Sequence, residues 1–433
     1  MSGDPILQLL TGQWQDPESG ERLGVPVRAI VIADSLDGVE GQMVARLDLG
    51  RRLAVVSDPL THAVLGARVE QALAAAGQVI PIHLRDHPHA DDVTVDRIRA
   101  ATADADALIA VGAGTINDLC KYAAFQDGKP YAAFGTAPSM NGYTSANAAI
   151  TVGGLKKSLA ARTPAGVFLD LAVLAAAPPR MIRSGLGDSL CRSTAQADWL
   201  LSHLLRDTPY REAPFALLAG DEGPLFESAG ALLAGDLEAM RRLARTLVLS
   251  GLGMCLTGGS YPASQGEHLI SHYIEMMGGP GLPASFHGEQ IGVTTLTMAR
   301  LQQRLLEAAP VVQPTVVDAA DLAAHFGAET GAACARELAA KALSPAAAAA
   351  LNERLSRAWP AIRDRIAAVR RSVADLQRTL AAAGAPMRPS DLGWPTPFFR
   401  TAVTRARQIR SRYGFLDLAA DAGLLEAFAA EEG

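Results

Sequence analysis

Through its first 170 residues the chain alternates short, wholly apolar runs with longer amphipathic ones. Residues 53–58 (Leu-Ala-Val-Val-Ser-Asp), 79–83, 107–111 and 131–134 each read as a buried strand, and 26–33 as an additional one near the start. Between them, 62–76, 95–103 and 117–125 carry apolar residues at helical spacing. Strands separated by helices of this length predict a parallel sheet with right-handed crossovers. After residue 171 the strand signal stops. Residues 171–177, 188–205, 224–249, 267–277, 291–309 and 346–383 are rich in Ala, Leu, Arg and Glu and favour helix. The pattern predicts an α/β nucleotide-type domain over 1–170 and an all-helical domain over 171–433.

Composition narrows the class. With 433 residues, 49% hydrophobic and 19% charged, the chain is an ordinary globular protein with room for large cores. A net charge of −6 gives no basic stripe for nucleic acid. No apolar run reaches membrane-spanning length, and the first residues lack a signal-peptide pattern. Cys120, Cys191, Cys255 and Cys334 lie far apart and read as buried free thiols, consistent with a reducing compartment. The expectation is a cytoplasmic protein with no nucleic-acid or membrane partner. Its apolar helices leave room for a homodimer.

Two segments carry candidate chemistry. Gly112-Ala113-Gly114-Thr115 follows a strand and opens a helix, where backbone amides and the helix dipole favour an anion. The same spacing serves a plain tight turn, since it lacks the full Gly-x-Gly-x-x-Gly pattern. Asp118 and Lys121 sit one turn further on and either face a cleft or are solvated. Asp58, at a strand end, suits a ribose hydroxyl and would repel a 2′-phosphate; before Pro59 it equally suits a helix cap.

The second segment is Ser264-Gln-Gly-Glu267-His268-Leu-Ile-Ser-His272, with Phe286-His287-Gly288 downstream. Ser264 and Glu267 fit a capping box, and His268 and His272, four apart, would share one helix face. A hydrogen-bonded histidine pair is the plain alternative to a site. Asp188 follows Gly185-Leu-Gly187, which reads as a turn before a helix, and is a good N-cap. Together, Asp188, His268 and His287 offer a carboxylate and two imidazoles, the donor set of a catalytic divalent metal.

Five motifs carry a family resemblance: Gly112-Ala-Gly-Thr-Ile-Asn-Asp118, Thr136-Ala-Pro-Ser139-Met-Asn141-Gly-Tyr-Thr-Ser145, Gly185-Leu-Gly-Asp188, Gly266-Glu-His268-Leu-Ile-Ser-His272 and Phe286-His287-Gly288. The tail Ile409-Arg-Ser-Arg-Tyr413 agrees with them. The chain resembles the sn-glycerol-1-phosphate dehydrogenase branch of the iron-containing alcohol dehydrogenase and dehydroquinate synthase superfamily. The resemblance implies a Rossmann-like domain followed by a helical one. It implies metal ligation by Asp188, His268 and His287, with zinc, nickel or iron as the ion. It makes His272 a substrate contact and proton carrier, and sets Asp188 near substrate. Residues 112–115 would take the pyrophosphate of NAD or NADP. Thr136, Ser139 and Ser145 would line the nicotinamide, with Asp118 near cofactor or substrate. The implied reaction interconverts dihydroxyacetone phosphate and sn-glycerol 1-phosphate. Rival readings are a glycerol or other polyol dehydrogenase, a dehydroquinate synthase-like cyclase, and an inactive nucleotide-binding homologue. Asn141 stands where the family usually has a substrate-contacting acid, and Ala113 where the branch often has Gly. Lys157 suits either a substrate phosphate or an exposed loop.

Overall fold

Apolar residues on both sides of a strand demand cover on both faces, and the central sheet is built this way. The computed structural model describes residues 3–75, 77–153 and 155–433. Six strands form a parallel sheet: β1 (Ala29–Ala33), β2 (Arg52–Ser57), β3 (Gln78–His83), β4 (Ala107–Gly112), β5 (Tyr131–Gly135) and β8 (Gly166–Asp170). Their spatial order is β1-β8-β5-β4-β2-β3, with every pairing parallel. All six residues of β4 and all five of β5 and of β8 are buried.

Alternate residues serve opposite faces. Val55, Ile109, Val111 and Phe134 pack with Leu65, Val69 and Leu73 on one side. Val56, Leu108, Ala110 and Ala133 pack with Val95, Ile98, Ile116 and Leu119 on the other. The covering helices are α1, α2 (Asp92–Ala101) and α3 (Gly114–Gln126). Helix α1 runs through Pro59–Thr61, a π-helical turn His62–Gly66, and Ala67–Ala74. The expected end of this helix at Ala76 falls outside the described residues, as does Gly154.

Several elements exceed the sequence expectation. An antiparallel hairpin, β6 (Asn147–Val152) and β7 (Leu155–Ala160), follows β5, and β8 completes the sheet beyond it. Lys157 lies exposed on this hairpin, opposite Ile150. Helices then dominate. Those used below are α4 (Pro179–Leu190), α5 (Arg192–Arg206), α6 (Leu237–Thr257), α7 (Gly266–Met277), α8 (His287–Leu305) and α9 (Pro345–Val369). No helix among the described residues is long and apolar enough to cross a membrane.

The change from strands to helices near residue 170 is not where the chain divides into packing units. One unit holds Met1–Ser189 and Arg211–Ser260, the other Leu190–Tyr210 and Tyr261–Gly433. Helix α6 thus belongs with the sheet: Thr144 Oγ1 donates to the Val248 carbonyl at 2.8 Å. The second unit has its own core, with Leu200, Ile270, Val293, Leu355 and Phe399 among its members. All four cysteines are free. Cys120, Cys191 and Cys334 are buried as expected, while Cys255 is partly exposed.

Candidate active site

In the first unit, connection order and spatial order diverge between β2 and β4. The chain runs from β2 outward to β3, then crosses back to β4 on the other side of β2. Loops leaving the carboxyl ends of such neighbouring strands part in opposite directions and open a crevice. Asp58 follows the end of β2 there, and Gly112–Thr115 lies at the end of β4.

The glycine loop is tight for steric reasons. A Cβ on Gly112 would fall 2.5 Å from Ile116, inside the first turn of α3. A Cβ on Gly114 would meet Met140 at 3.0 Å. Ala113, the N-cap of α3, has φ −85°, which alanine adopts without strain. It offers no side-chain cap, so the first amides of α3 stay available to an anion. Asp58 is nine-tenths buried and forms a capping box with Thr61: its carboxylate accepts from the Thr61 amide at 2.8 Å, and Thr61 Oγ1 accepts from the Asp58 amide at 3.0 Å.

Behind the glycine loop lies a bonded chain of residues. The Thr136 amide donates to the Gly112 carbonyl at 3.2 Å. Ser184 Oγ donates to the Ser139 carbonyl at 2.9 Å, and the Asn141 amide donates to Asp188 Oδ2 at 2.7 Å. Lys121 is wholly buried and donates to the Gly142 carbonyl (2.6 Å), Ser145 Oγ (3.1 Å) and the Asn147 carbonyl (3.0 Å). Asp118 stands 3.6 Å from Lys121 Nζ and accepts from the Ala149 amide at 3.0 Å. Asp118, Lys121 and Ser145 therefore lock residues 142–149 onto α3. Burial lowers the Lys121 pKa while Asp118 opposes it. Neither the cleft-facing nor the solvated reading of Lys121 holds, because its acceptors come from a loop some twenty residues away. Asn141 Nδ2 is buried without a hydrogen-bond partner among the described residues.

Asp188 is buried on the last turn of α4, not at a helix start. Gly185 is likewise helical rather than part of a turn. Its missing side chain answers a contact, since a Cβ there would lie 1.6 Å from the Pro138 carbonyl oxygen.

In the second unit three imidazoles meet. The rings of His268 and His272, one turn apart on α7, have centroids 5.9 Å apart. His287, the first residue of α8, lies 5.1 Å from His268 and 6.0 Å from His272 by the same measure. Helix α7 begins at Gly266, with Gln265 rather than Ser264 at the cap. Glu267 accepts from the Gln265 amide at 2.8 Å, and its Oε1 also lies 2.9 Å from His268 Nδ1. Thr194 Oγ1 donates to its other oxygen at 3.2 Å. A carboxylate against Nδ1 selects the tautomer that leaves the Nε2 lone pair for a cation, as carboxylates behind metal-binding histidines do. His287 Nδ1 is buried and lacks a hydrogen-bond partner among the described residues; Glu275 Oε1 is 3.9 Å away. An orphaned nitrogen on His287 and the carboxylate-backed imidazole of His268 are donors that fit a divalent cation. Cys191 Sγ also lies within 4.8 Å of His268.

The electrostatics are those of a desolvated pocket. Burial drives the His272 pKa well below the usual imidazole value, and the positive charge of Arg410 adds to this. Burial also raises Glu267 to about 7 and Asp198 to about 7, the latter helped by the Glu267 charge. Asp198 accepts from the Gly266 and Phe415 amides, each at 2.9 Å, and so fixes the start of α7. Glu267 and Arg410 are the site residues that sequence spacing did not single out. The signal for Glu267 was present, as an acid directly before a histidine, but it also satisfied the capping pattern.

The sequence pattern of iron-containing alcohol dehydrogenases matches residues 31–178. A glycerol-1-phosphate dehydrogenase (NAD(P)+) of Bacillus licheniformis is 33% identical over 289 residues, spanning 65% of this chain and 72% of that protein. Its namesake from Thermococcus kodakarensis is 33% identical over 63% of this chain and 77% of its own length. Among solved structures, glycerol dehydrogenase of Schizosaccharomyces pombe superposes with a TM-score of 0.61 at 17% identity, covering 94% of this chain and 90% of that one. An iron-containing alcohol dehydrogenase of Corynebacterium glutamicum gives 0.58 at 18% identity, covering 93% and 95%. At those identities the likeness is one of fold. Joined to the glycine loop at the β2/β4 crevice and the three converging imidazoles, the sequence relatives settle kinship: the chain belongs to the iron-containing alcohol dehydrogenase family, in its glycerol-1-phosphate dehydrogenase branch.

Proposed function

We propose that this protein is a metal-dependent NAD(P)-linked dehydrogenase that interconverts dihydroxyacetone phosphate and sn-glycerol 1-phosphate. The observation that carries the reading is the meeting of His268, His272 and His287, with Glu267 behind His268, in a chain whose relatives bear that name. Asp188, His268 and His287 are the residues we assign to the cation, and Gly112–Thr115 with Asp58 to the dinucleotide. When bound, the two groups supply polarisation of a carbonyl oxygen and a hydride.

The chain's own groups do the rest. His272 is held neutral by burial and Arg410, so it accepts the hydroxyl proton in the oxidising direction and returns it on reduction. Asn141 Nδ2, a buried donor without a partner among the described residues, suits a substrate oxygen. Arg410 forms no ion pair among the described residues, and burial lowers its pKa. A substrate phosphate would give that cation a counter-charge. We assign the phosphate to Arg410 in preference to Lys157, which lies exposed on the hairpin.

The test is NAD(P)H oxidation by metal-supplied protein with dihydroxyacetone phosphate, glyceraldehyde 3-phosphate and free dihydroxyacetone. The expected result is turnover of the phosphorylated ketone, yielding the sn-1 product, far above that of the free ketone. Preference for free dihydroxyacetone would instead identify a polyol dehydrogenase. Turnover of no carbonyl compound would remove the dehydrogenase class. His268→Ala should abolish metal content and activity together.

A further inference from the structure

The first unit holds a second cluster of ligand atoms, apart from every residue assigned above to the cation. His62 and Glu70 lie on α1, and His83 ends β3. Ligand atoms of the three all fall within 4.8 Å of one another. His62 Nε2 stands 3.3 Å from Glu70 Oε2, and the His62 and His83 rings meet edge to face with centroids 4.6 Å apart.

The backbone makes this meeting possible. On a regular helix, eight residues overshoot two full turns by about 80°, which would separate His62 from Glu70. The π-helical turn His62–Gly66 takes one extra residue and brings the two back onto one face. A Cβ on Gly66 would stand 3.1 Å from the His62 ring, so glycine lets the imidazole lie against its own helix. His83 joins from the adjacent strand, in register with Ser57.

A surface ion pair accounts for one contact but not for the rest. Glu70 keeps its second oxygen, Oε1, buried without a hydrogen-bond partner among the described residues. An acceptor in that state is costly unless something cationic meets it. Two imidazoles and a carboxylate, with an open side toward solvent, form a three-ligand set that zinc-class ions take with a water as fourth ligand. Ligands bonded at about 2.0–2.1 Å to a tetrahedral ion lie roughly 3.3 Å apart, which is the spacing of His62 from Glu70.

We propose that His62, Glu70 and His83 bind a second divalent transition-metal ion, independent of the His268 cluster. The test is equilibrium dialysis of chelator-stripped full-length protein against Zn2+, with metal counted by mass spectrometry. The wild type should hold two equivalents per chain, and the His62→Ala/His83→Ala variant one fewer. A His268→Ala/His287→Ala variant should retain the equivalent at His62 and lose it only when the first two changes are added. Glu70→Gln should selectively weaken that equivalent. Co2+ substitution gives a second readout, a tetrahedral visible spectrum that survives His268→Ala/His287→Ala and vanishes with His62→Ala/His83→Ala. Unchanged stoichiometry and affinity in His62→Ala/His83→Ala would overturn the proposal. Failure of the His268 assignment would show differently, as unchanged metal in the His268→Ala/His287→Ala variant alone.

Discussion

Glu267 shows how one side chain answers to several demands. It is wholly buried, takes the Gln265 amide and the Thr194 hydroxyl, and stands against His268 Nδ1. Removing its charge while keeping its shape isolates the last role. Glu267→Gln should leave the chelated protein folded, with unchanged circular dichroism, yet weaken metal binding at His268 by roughly 10–100-fold, the usual effect of losing a carboxylate behind a ligating histidine. Competition with a calibrated chelator measures this. Equal metal affinity in the variant and the wild type would show that Glu267 serves only the helix start. At this scale the sequence was legible where chemistry is local. The four-residue spacing of His268 and His272 predicted a shared face, and the rings do adjoin. It was mute where partners come from elsewhere: nothing near Lys121 announces that the Gly142 and Asn147 carbonyls will surround it.

Helices and strands differ in how openly they announce themselves. Strands β2, β4 and β5 stood out because burial on both faces leaves an uninterrupted apolar run. The hairpin β6–β7 did not, since β6 buries only Ala148 and Ile150 and the hairpin carries polar side chains such as Thr151 and the exposed Lys157. Helix α4 was misplaced for another reason. Glycines at 185 and 187 look like a turn, but Gly185 sits within the helix because the chain at Pro138 presses on it. Gly185→Ala tests that account at the level of packing. Alanine is the better helix former by about 1 kcal/mol, so propensity alone predicts stabilisation. The 1.6 Å approach to the Pro138 oxygen predicts the reverse. Relieving it must move α4 away from residues 138–142, breaking the Ser184–Ser139 and Asn141–Asp188 hydrogen bonds. A net loss of about 1–3 kcal/mol in urea unfolding is expected, in the range of overpacked sites. A neutral or stabilising change would mean that glycine is there for another reason.

For the whole molecule, the buried acids and the desolvated, part-buried imidazole of the second unit set opposing pH dependences. Glu267 and Asp198, each raised to about 7, favour folding in their neutral forms. Their contribution is complete below the unfolded carboxyl pKa of about 4 and is lost as pH rises through 7. His272 is depressed, so its contribution is complete above the unfolded imidazole pKa of about 6.5 and fades as pH falls below it. Between about pH 4 and 6.5 the two trends oppose each other. Above about 6.5 only the carboxyls still titrate, and the chelated protein should lose stability up to about pH 8. Glu267→Gln removes one of the two acids and relieves Asp198 of its neighbour's charge, so the decline should become shallower. A divalent ion at His268 changes the sign of the argument, because its positive charge, with the Nδ1–H kept on the ring as a donor to Glu267, favours the carboxylate. Supplying metal should therefore flatten or reverse the decline in the wild type and alter the variant less. Unfolding midpoints across about pH 6 to 8.5, with and without metal, give all four curves. Parallel slopes for the wild type and Glu267→Gln in chelator would show that this carboxyl does not titrate in the folded protein.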